Sequence, residues 1–317
     1  METLLYLAGR GLVTLVQALP LVWVARLGRA CGGVAYWFDV RHRRVAIANL
    51  EAAFGPTLSP SDIAALAAEN FRRIGENFAC AVRTAAMSTE EVRAVLEVVG
   101  AERLVEAGGP GKRSLVIAIG HFGNFELYAR AGQSAPGYQF ATTYRALRQP
   151  ALNRLFQELR ERSGCRYFER RSESTALKGA MNQPRIMVGF LADQHAGDRG
   201  LPVPFFGRNC STSAAPGVFA LRYGCPLFTA ICYRVGLARW RIEVGAEIPT
   251  HADGQPRPVE HLAADVNRDF EIAVRRDPAN WFWVHRRWKA SVRPRSEPVR
   301  PADRPPTPGE NQAGPPG

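Results

Sequence analysis

A histidine and a glutamate five positions apart, His121 and Glu126, are the residues whose types and spacing best suit acid–base chemistry. They lie in the stretch SLVIAIGHFGNFE at 114–126. An imidazole accepts a proton near neutral pH, and a carboxylate that bonds one ring nitrogen leaves the other free as a base. The stretch from His121 to Glu126 contains no serine or cysteine. The pattern therefore favours a substrate that brings its own hydroxyl group.

The residues around His121 predict how the chain would position it. Leu115–Ile119 is a short apolar run rich in Ile and Val, which predicts a buried strand. Gly123 permits a tight turn, and Asn124 is a good N-cap for a helix over Phe125–Ala131. A histidine at the carboxyl end of a buried strand lies where α/β proteins place their chemistry. The alternative is a strand-ending histidine and a glutamate on a solvated helix face, because this spacing is frequent by chance.

Two further predicted strands end in charged residues. Tyr138–Tyr144 is followed by Arg145, and Ile186–Leu191 is followed after one residue by Asp193. Because the carboxyl ends of parallel strands meet at one edge of a sheet, Arg145 and Asp193 are expected to converge with His121 on a single site. Taken alone, an arginine in such a place is more often a solvated charge.

GHFGNFE resembles the H-x4-D/E signature of glycerolipid-type acyltransferases, and in this wording it resembles the bacterial lipid A biosynthesis acyltransferase family. The resemblance covers roughly residues 1–292. Other blocks agree with that family in order and spacing: NLEAAFG at 49–55, TYR at 143–145, ADQ at 192–194, VPFFGRNCSTSAAPGVFAL at 203–221 and WVHRRWK at 283–289.

The resemblance implies transfer of a fatty acyl chain from an acyl carrier protein thioester, or acyl-CoA, to a hydroxyl of a lipid A precursor. It implies His121 as general base with Glu126 as its partner, and it places Arg145 and the pair Asp193-Gln194 in the site. No acyl-enzyme, cofactor or metal is then needed. It also implies the cytoplasmic face of a bacterial inner membrane as the location.

The tetrahedral oxyanion of such a reaction needs hydrogen-bond donors. Backbone N–H groups at Gly123 and Asn124 and the guanidinium of Arg145 are the candidates. A phosphate of the acceptor is expected near Arg208, Ser211 and Thr212, because these residues precede a predicted helix whose N-terminus favours anions. Ordinary capping by the hydroxyls is the alternative reading of that segment.

Composition bounds the class of protein. The 317 residues include 46% hydrophobic residues, enough for a sizeable core, and carry a net charge of +12. That charge suits an anionic partner such as a membrane surface, a phosphorylated glycolipid, an acidic carrier protein or nucleic acid. Six cysteines without a C-x-x-C pair favour free thiols in a reducing compartment.

Three segments are expected. Residues 1–30 read as a hydrophobic membrane-associating helix, although the uncharged run Leu12–Ala25 is shorter than a confident spanning helix and contains Pro20. A cleaved signal peptide is disfavoured, because basic residues follow without a cleavage site. Residues 31–292 form the acyltransferase domain, an α/β fold with a central mixed β-sheet flanked by helices. The proline-rich residues 293–317 are expected to be disordered.

Other functions compete with this reading. An acyltransferase of the same superfamily with a different lipid acceptor is the first, because the blocks describe the chemistry and not the acceptor. A basic membrane-binding or nucleic-acid-binding protein would explain the charge but not the His121–Glu126 spacing, and the arginines form no stripe typical of nucleic-acid binders, so no nucleic acid is expected as a partner. A zinc hydrolase lacks a convincing third ligand.

Overall fold

A computed structural model describes residues 2–111, 113–132 and 137–289. The helices are α1 Glu2–Ala18, α2 Leu21–Phe38, α3 Val40–Phe54, α4 Pro60–Thr84, α5 Thr89–Arg93, α6 Ala101–Gly108, α7 Leu127–Ala131, α8 Pro150–Glu161, α9 Ser174–Met181, α10 Ala215–Tyr223 and α11 Val259–Arg276. The strands are β1 Leu96–Val99, β2 Leu115–Ile119, β3 Gln139–Tyr144, β4 Arg166–Glu169, β5 Ile186–Leu191, β6 Leu201–Phe205, β7 Arg208–Thr212, β8 Leu227–Gly236, β9 Arg239–Ile248, β10 His251–Ala252 and β11 Gln255–Pro256.

Seven strands form the central sheet in the order β1-β9-β8-β2-β5-β3-β4. All neighbours in it run parallel except β8 and β9, which form an antiparallel hairpin. The predicted mixed α/β sheet is therefore confirmed. Strand β2, which precedes His121, lies in the middle between β5 and β8.

The core lies on both faces of this sheet. Along β2, Val116 and Ala118 pack into one hydrophobic cluster, while Leu115, Ile117 and Ile119 pack into the other. All five side chains are buried, because helices cover both faces of a parallel sheet. Two buried faces explain why β2 is a continuous apolar run and not an alternating one.

The N-terminal apolar segment is two helices. Pro20 separates α1 from α2, so the boundary expected at residue 30 falls inside α2. Helix α2 packs closely on α4, where a Cβ on Gly32 would collide with the Phe71 carbonyl oxygen. None of the described helices is long and apolar enough to cross a membrane. The tail expected at 293–317 lies outside the described residues.

Local sequence explains where some of the helices begin. Capping boxes at Ser59 and Ser88 start α4 and α5. Asn124 does not cap a helix, because α7 begins only at Leu127 and its N-cap is Glu126. The segment before α10 forms the antiparallel hairpin β6–β7, which the sequence pattern did not indicate.

Candidate functional site

Two parallel strands bring His121 and Asp193 together. Ile119 at the end of β2 pairs with Leu191 at the end of β5, and the Ala192 N–H donates to the Ile119 carbonyl oxygen at 2.9 Å. Both chains therefore leave the sheet at the same edge. Strand β3 pairs with β5 on the other side, so Arg145 also leaves at this edge. The expected convergence of the three strand ends is present.

Asp193 holds His121 at two points. Its Oδ1 lies 2.8 Å from His121 Nδ1, and its Oδ2 accepts the His121 backbone N–H at 2.9 Å. The Trp281 indole N–H donates to the same Oδ2 at 2.8 Å. Burial raises the pKa of Asp193, but the imidazole and the backbone N–H of His121 outweigh it and, with His285, hold that pKa well below its usual range. Asp193 is therefore a carboxylate, and Nδ1–H of His121 is the donor to it.

Glu126 does not bond His121, so the predicted hydrogen bond between them is absent. Its carboxylate forms a bidentate ion pair with Arg160 of α8, with N–O distances of 2.6 and 3.2 Å. The Phe125 ring lies against the His121 ring instead, with centroids 4.9 Å apart. Because α7 begins after Glu126, the turn directs this side chain towards α8 and away from the imidazole.

A cavity of about 330 Å³ joins the predicted residues His121, Glu126 and Arg145. Arg160 and Tyr167 also line it, and the Arg160 guanidinium carbon lies 5.1 Å from the centre of the Tyr167 ring. The His121 side chain is 18% exposed, so solvent or a ligand can reach it. One nitrogen of its ring is bonded to a buried carboxylate, which leaves Nε2 for proton transfer.

Of the two predicted backbone donors, the N–H of Gly123 already has a partner within the protein. The Gly123 N–H donates to the Asn280 carbonyl oxygen at 3.0 Å and is therefore already used. Gly123 has a φ of +49°, and a Cβ there would lie 2.6 Å from the Cys232 carbonyl oxygen, so this position requires glycine. The Asn124 side-chain amide is buried and makes no hydrogen bond to the residues that the structure describes.

The expected phosphate-binding hydroxyls face the interior. Ser211 Oγ donates to the Gly197 carbonyl oxygen, and Thr212 is fully buried. Arg287, itself fully buried, donates to the Thr212 hydroxyl and to the backbone carbonyls of Ser211 and Gln194. These three residues thus bind the C-terminal block, and the hydroxyls of Ser211 and Thr212 are engaged within the protein, so a phosphate at these hydroxyls stays a prediction.

Arg208 is likewise away from the site. It is exposed at the start of β7, paired with Phe205, and is not among the described residues that line the cavity around His121. Gln194 is also not in that lining. Arg208 lies in the hairpin β6–β7 and Gln194 precedes it, and the cavity lining includes neither of them.

Several site residues could not be assigned from the sequence. Arg160 and Trp281 contact Glu126 and Asp193 across 34 and 88 positions of the chain. In the WVHRRWK block, Trp283 is fully buried and donates its indole N–H to the Pro278 carbonyl oxygen. The NLEAAFG block has a structural role, because Asn49 donates to the Trp283 and His285 carbonyls.

Comparison with known proteins adds to this geometry. A sequence model described as bacterial lipid A biosynthesis acyltransferase matches residues 1–290. The lipid A biosynthesis palmitoleoyltransferase of Escherichia coli K12 is 28% identical over 288 residues, covering 89% of this chain and 90% of that protein. The lipid A biosynthesis acyltransferase of Shigella flexneri gives the same identity and coverage. The lipid A biosynthesis lauroyltransferase of E. coli K12 is 26% identical over 297 residues, covering 92% and 93%.

Proposed function

This chain belongs to the bacterial lipid A biosynthesis acyltransferase family, and we propose that it transfers a fatty acyl chain from an acyl carrier protein thioester to a hydroxyl of a lipid A precursor. The observation that carries the proposal is His121 in a cavity, with Asp193 bonded behind its ring. The relatives named above support the acceptor class, since each is named for lipid A biosynthesis.

His121 acts as the general base. Its Nε2 takes the proton of the acceptor hydroxyl while the oxygen attacks the thioester carbonyl, and the protonated imidazole then gives the proton to the leaving thiolate. Asp193 fixes the ring and stabilises its protonated form. The acyl group passes directly from sulfur to oxygen, so no acyl-enzyme forms.

Arginines stabilise the developing oxyanion. Arg160 and Arg145 both line the cavity that contains His121. Glu126 holds the Arg160 guanidinium by two hydrogen bonds, which fixes its place in the wall. Charged donors in a partly buried cavity favour a transition state that gains negative charge. In this mechanism, Glu126 serves the reaction by positioning Arg160.

The acyl chain lies in a second cavity of about 290 Å³ between α4 and α8. The two cavities share Phe78, Phe156, Tyr167 and the Glu126–Arg160 pair as lining, which supports a single path from the thioester end to the chain. Most of the remaining lining is apolar, including Ala81, Val82, Ala85 and Leu159. A hydrocarbon chain gains free energy on leaving water for such a space.

The membrane supplies the acceptor at the cytoplasmic face of the bacterial inner membrane. The exposed apolar side chains of α1 and α2 support this location. The α1 residue Tyr6 donates to Glu158 of α8 at 2.8 Å, so α1 lies beside the helix that borders both cavities. A lipid acceptor then reaches His121 without leaving the membrane surface.

An acyl-transfer assay tests the function. Detergent-solubilised full-length protein is given a radiolabelled acyl carrier protein thioester and a lipid A precursor. The parent is expected to label the precursor, and His121→Ala is expected to lose about 10²- to 10⁴-fold in rate. His195→Ala is the matched control, because His195 does not line the cavity around His121 and should leave the rate near parental.

The possible results separate the parts of the proposal. A folded His121→Ala variant with a near-parental rate would exclude His121 as the base. Acyl-CoA replaces the carrier thioester in a parallel reaction to test the donor. Labelling of other membrane lipids but not of the lipid A precursor would reject the acceptor and retain the chemistry.

A further inference from the structure

We infer that Trp281 is a positioning residue for the reaction at His121, an inference that rests on the function proposed above. Its indole N–H donates to Asp193 Oδ2, while Asp193 Oδ1 bonds the His121 ring. Trp281 is not among the described residues that line the reaction cavity. It therefore acts on the base through the carboxylate and without touching the substrate.

The hydrogen bonds of Asp193 explain why the indole matters. The carboxylate is almost completely buried, so its orientation depends on the protein donors that surround it. Oδ2 has two donors, the His121 backbone N–H and the indole. Loss of the indole leaves the backbone donor alone, and the carboxylate can then rotate about its Cβ–Cγ bond. Rotation moves Oδ1 away from His121 Nδ1 and frees the ring to turn.

The backbone fixes Trp281 relative to His121. Phe122 and Trp281 form an antiparallel bridge, and the Phe282 N–H donates to the His121 carbonyl oxygen at 3.1 Å. From α4, the Asn70 amide donates to the Trp281 carbonyl oxygen at 2.6 Å. The indole and the catalytic turn are thus parts of one rigid unit, and small shifts in such a unit are costly for catalysis.

His285 is an uncharged neighbour of Trp281 and Asp193. The His285 ring packs edge-on against Trp281, with centroids 5.3 Å apart at 86°. Its Nδ1 lies 2.9 Å from the Phe282 carbonyl oxygen, which it bonds as a donor. Because burial lowers the pKa of His285 to about 4, this ring adds no positive charge beside Asp193 at neutral pH. The full negative charge of Asp193 then acts on His121.

The chain offers a matched pair of tryptophans for the test. Trp281 and Trp283 are both fully buried, and each donates its indole N–H, to Asp193 and to the Pro278 carbonyl respectively. In Trp281→Phe we expect kcat to fall about 10- to 100-fold, as for loss of a hydrogen bond to a charged group, with KM within about twofold. In Trp283→Phe we expect kcat within about threefold of the parent value. Equal losses of kcat in both variants, or none in Trp281→Phe, would overturn the inference.

A second measurement does not need acyl transfer. Proton NMR of the purified protein records the low-field signal of a ring N–H that bonds a carboxylate, and the His121→Ala variant assigns it. The signal is expected to shift in Trp281→Phe and to stay unchanged in Trp283→Phe. An unshifted signal in Trp281→Phe would reject the positioning role. If the signal shifts but the parent protein transfers no acyl group, the proposed function fails and the positioning contact stands.

Discussion

The buried imidazole of His285 makes the stability of the folded protein depend on pH. Burial lowers its pKa to about 4 from an ordinary 6.5, although the Asp193 carboxylate and the Phe282 carbonyl raise it. Between these two pH values the unfolded chain binds a proton on this ring and the folded protein does not, so stability falls as the pH falls. One such group accounts for about 2 kcal/mol of lost stability between pH 7.5 and pH 5.

Replacing His285 should remove that dependence. The free energy of unfolding by urea is measured at pH 7.5 and at pH 5 for both proteins. The decrease between these pH values is expected to be about 2 kcal/mol smaller in His285→Gln than in the parent protein. His251→Gln serves as the control, because His251 is exposed. An equal loss in His285→Gln and the parent would contradict the burial argument.

The sequence predicted some of the site residues but not all of the contacts between them. The spacing and the strand pattern identified His121, Arg145 and Asp193 and predicted that they meet. They did not identify the bond between His121 and Asp193, because a carboxylate close in sequence, Glu126, offered a simpler partner. The choice depends on where α7 begins, and no local signal set that start at Leu127. Contacts across the chain, such as those of Trp281, have no periodicity that a sequence pattern could detect.

At the level of elements, prediction succeeded where hydrophobic pattern and caps agree. The bounds of β2 and β5 match the sequence expectation residue for residue. The hairpin β6–β7 was missed, since its alternating prolines at Pro202 and Pro204 disfavour an internal strand. That hairpin pairs only with itself, so its prolines interrupt no ladder of the central sheet.

The cavity between α4 and α8 makes a prediction about acyl chain length. Ala81 lies in the last turn of α4 and Ala85 is the C-cap residue of that helix, and both line the cavity. Phenylalanine at either position fills part of the cavity and excludes the end of a long chain. The ratio of kcat/KM for long over short acyl donors is expected to fall about fourfold for each methylene group excluded.

The control for chain length lies on the same helix. Ala65 of α4 is exposed and does not line the cavity, so Ala65→Phe makes the same chemical change without filling it. The ratio for Ala65→Phe should stay at the parent value, measured with donors of two chain lengths. Unchanged ratios in Ala81→Phe and Ala85→Phe would mean that the chain lies elsewhere.

At the scale of the whole molecule, the two N-terminal helices expose more large apolar side chains than is usual for a protein in water. Helices α1 and α2 expose many large apolar side chains: Leu4, Leu7, Leu12, Leu15, Trp23, Leu27, Trp37 and Phe38. No side chain of α1 is buried, so folding of the described residues leaves this apolar surface open. Large apolar side chains exposed in such number are typical of a membrane-binding or protein-binding face. The net charge of +12 favours an anionic lipid surface.

A negative charge introduced on α1 tests whether this helix contacts lipid. Leu12→Glu and Leu15→Glu replace residues that are 61% and 60% exposed, and Ile272→Glu replaces a residue on α11 that is also 60% exposed. The three replaced side chains are equally exposed, so the substitutions are matched in exposure and differ in location. In flotation with vesicles of anionic phospholipid, each α1 variant is expected to bind about tenfold more weakly than the parent protein, because an apolar contact is replaced by a charge that the lipid repels. Ile272→Glu should float with the parent protein, and equal flotation of all variants would show that α1 does not contact the lipid.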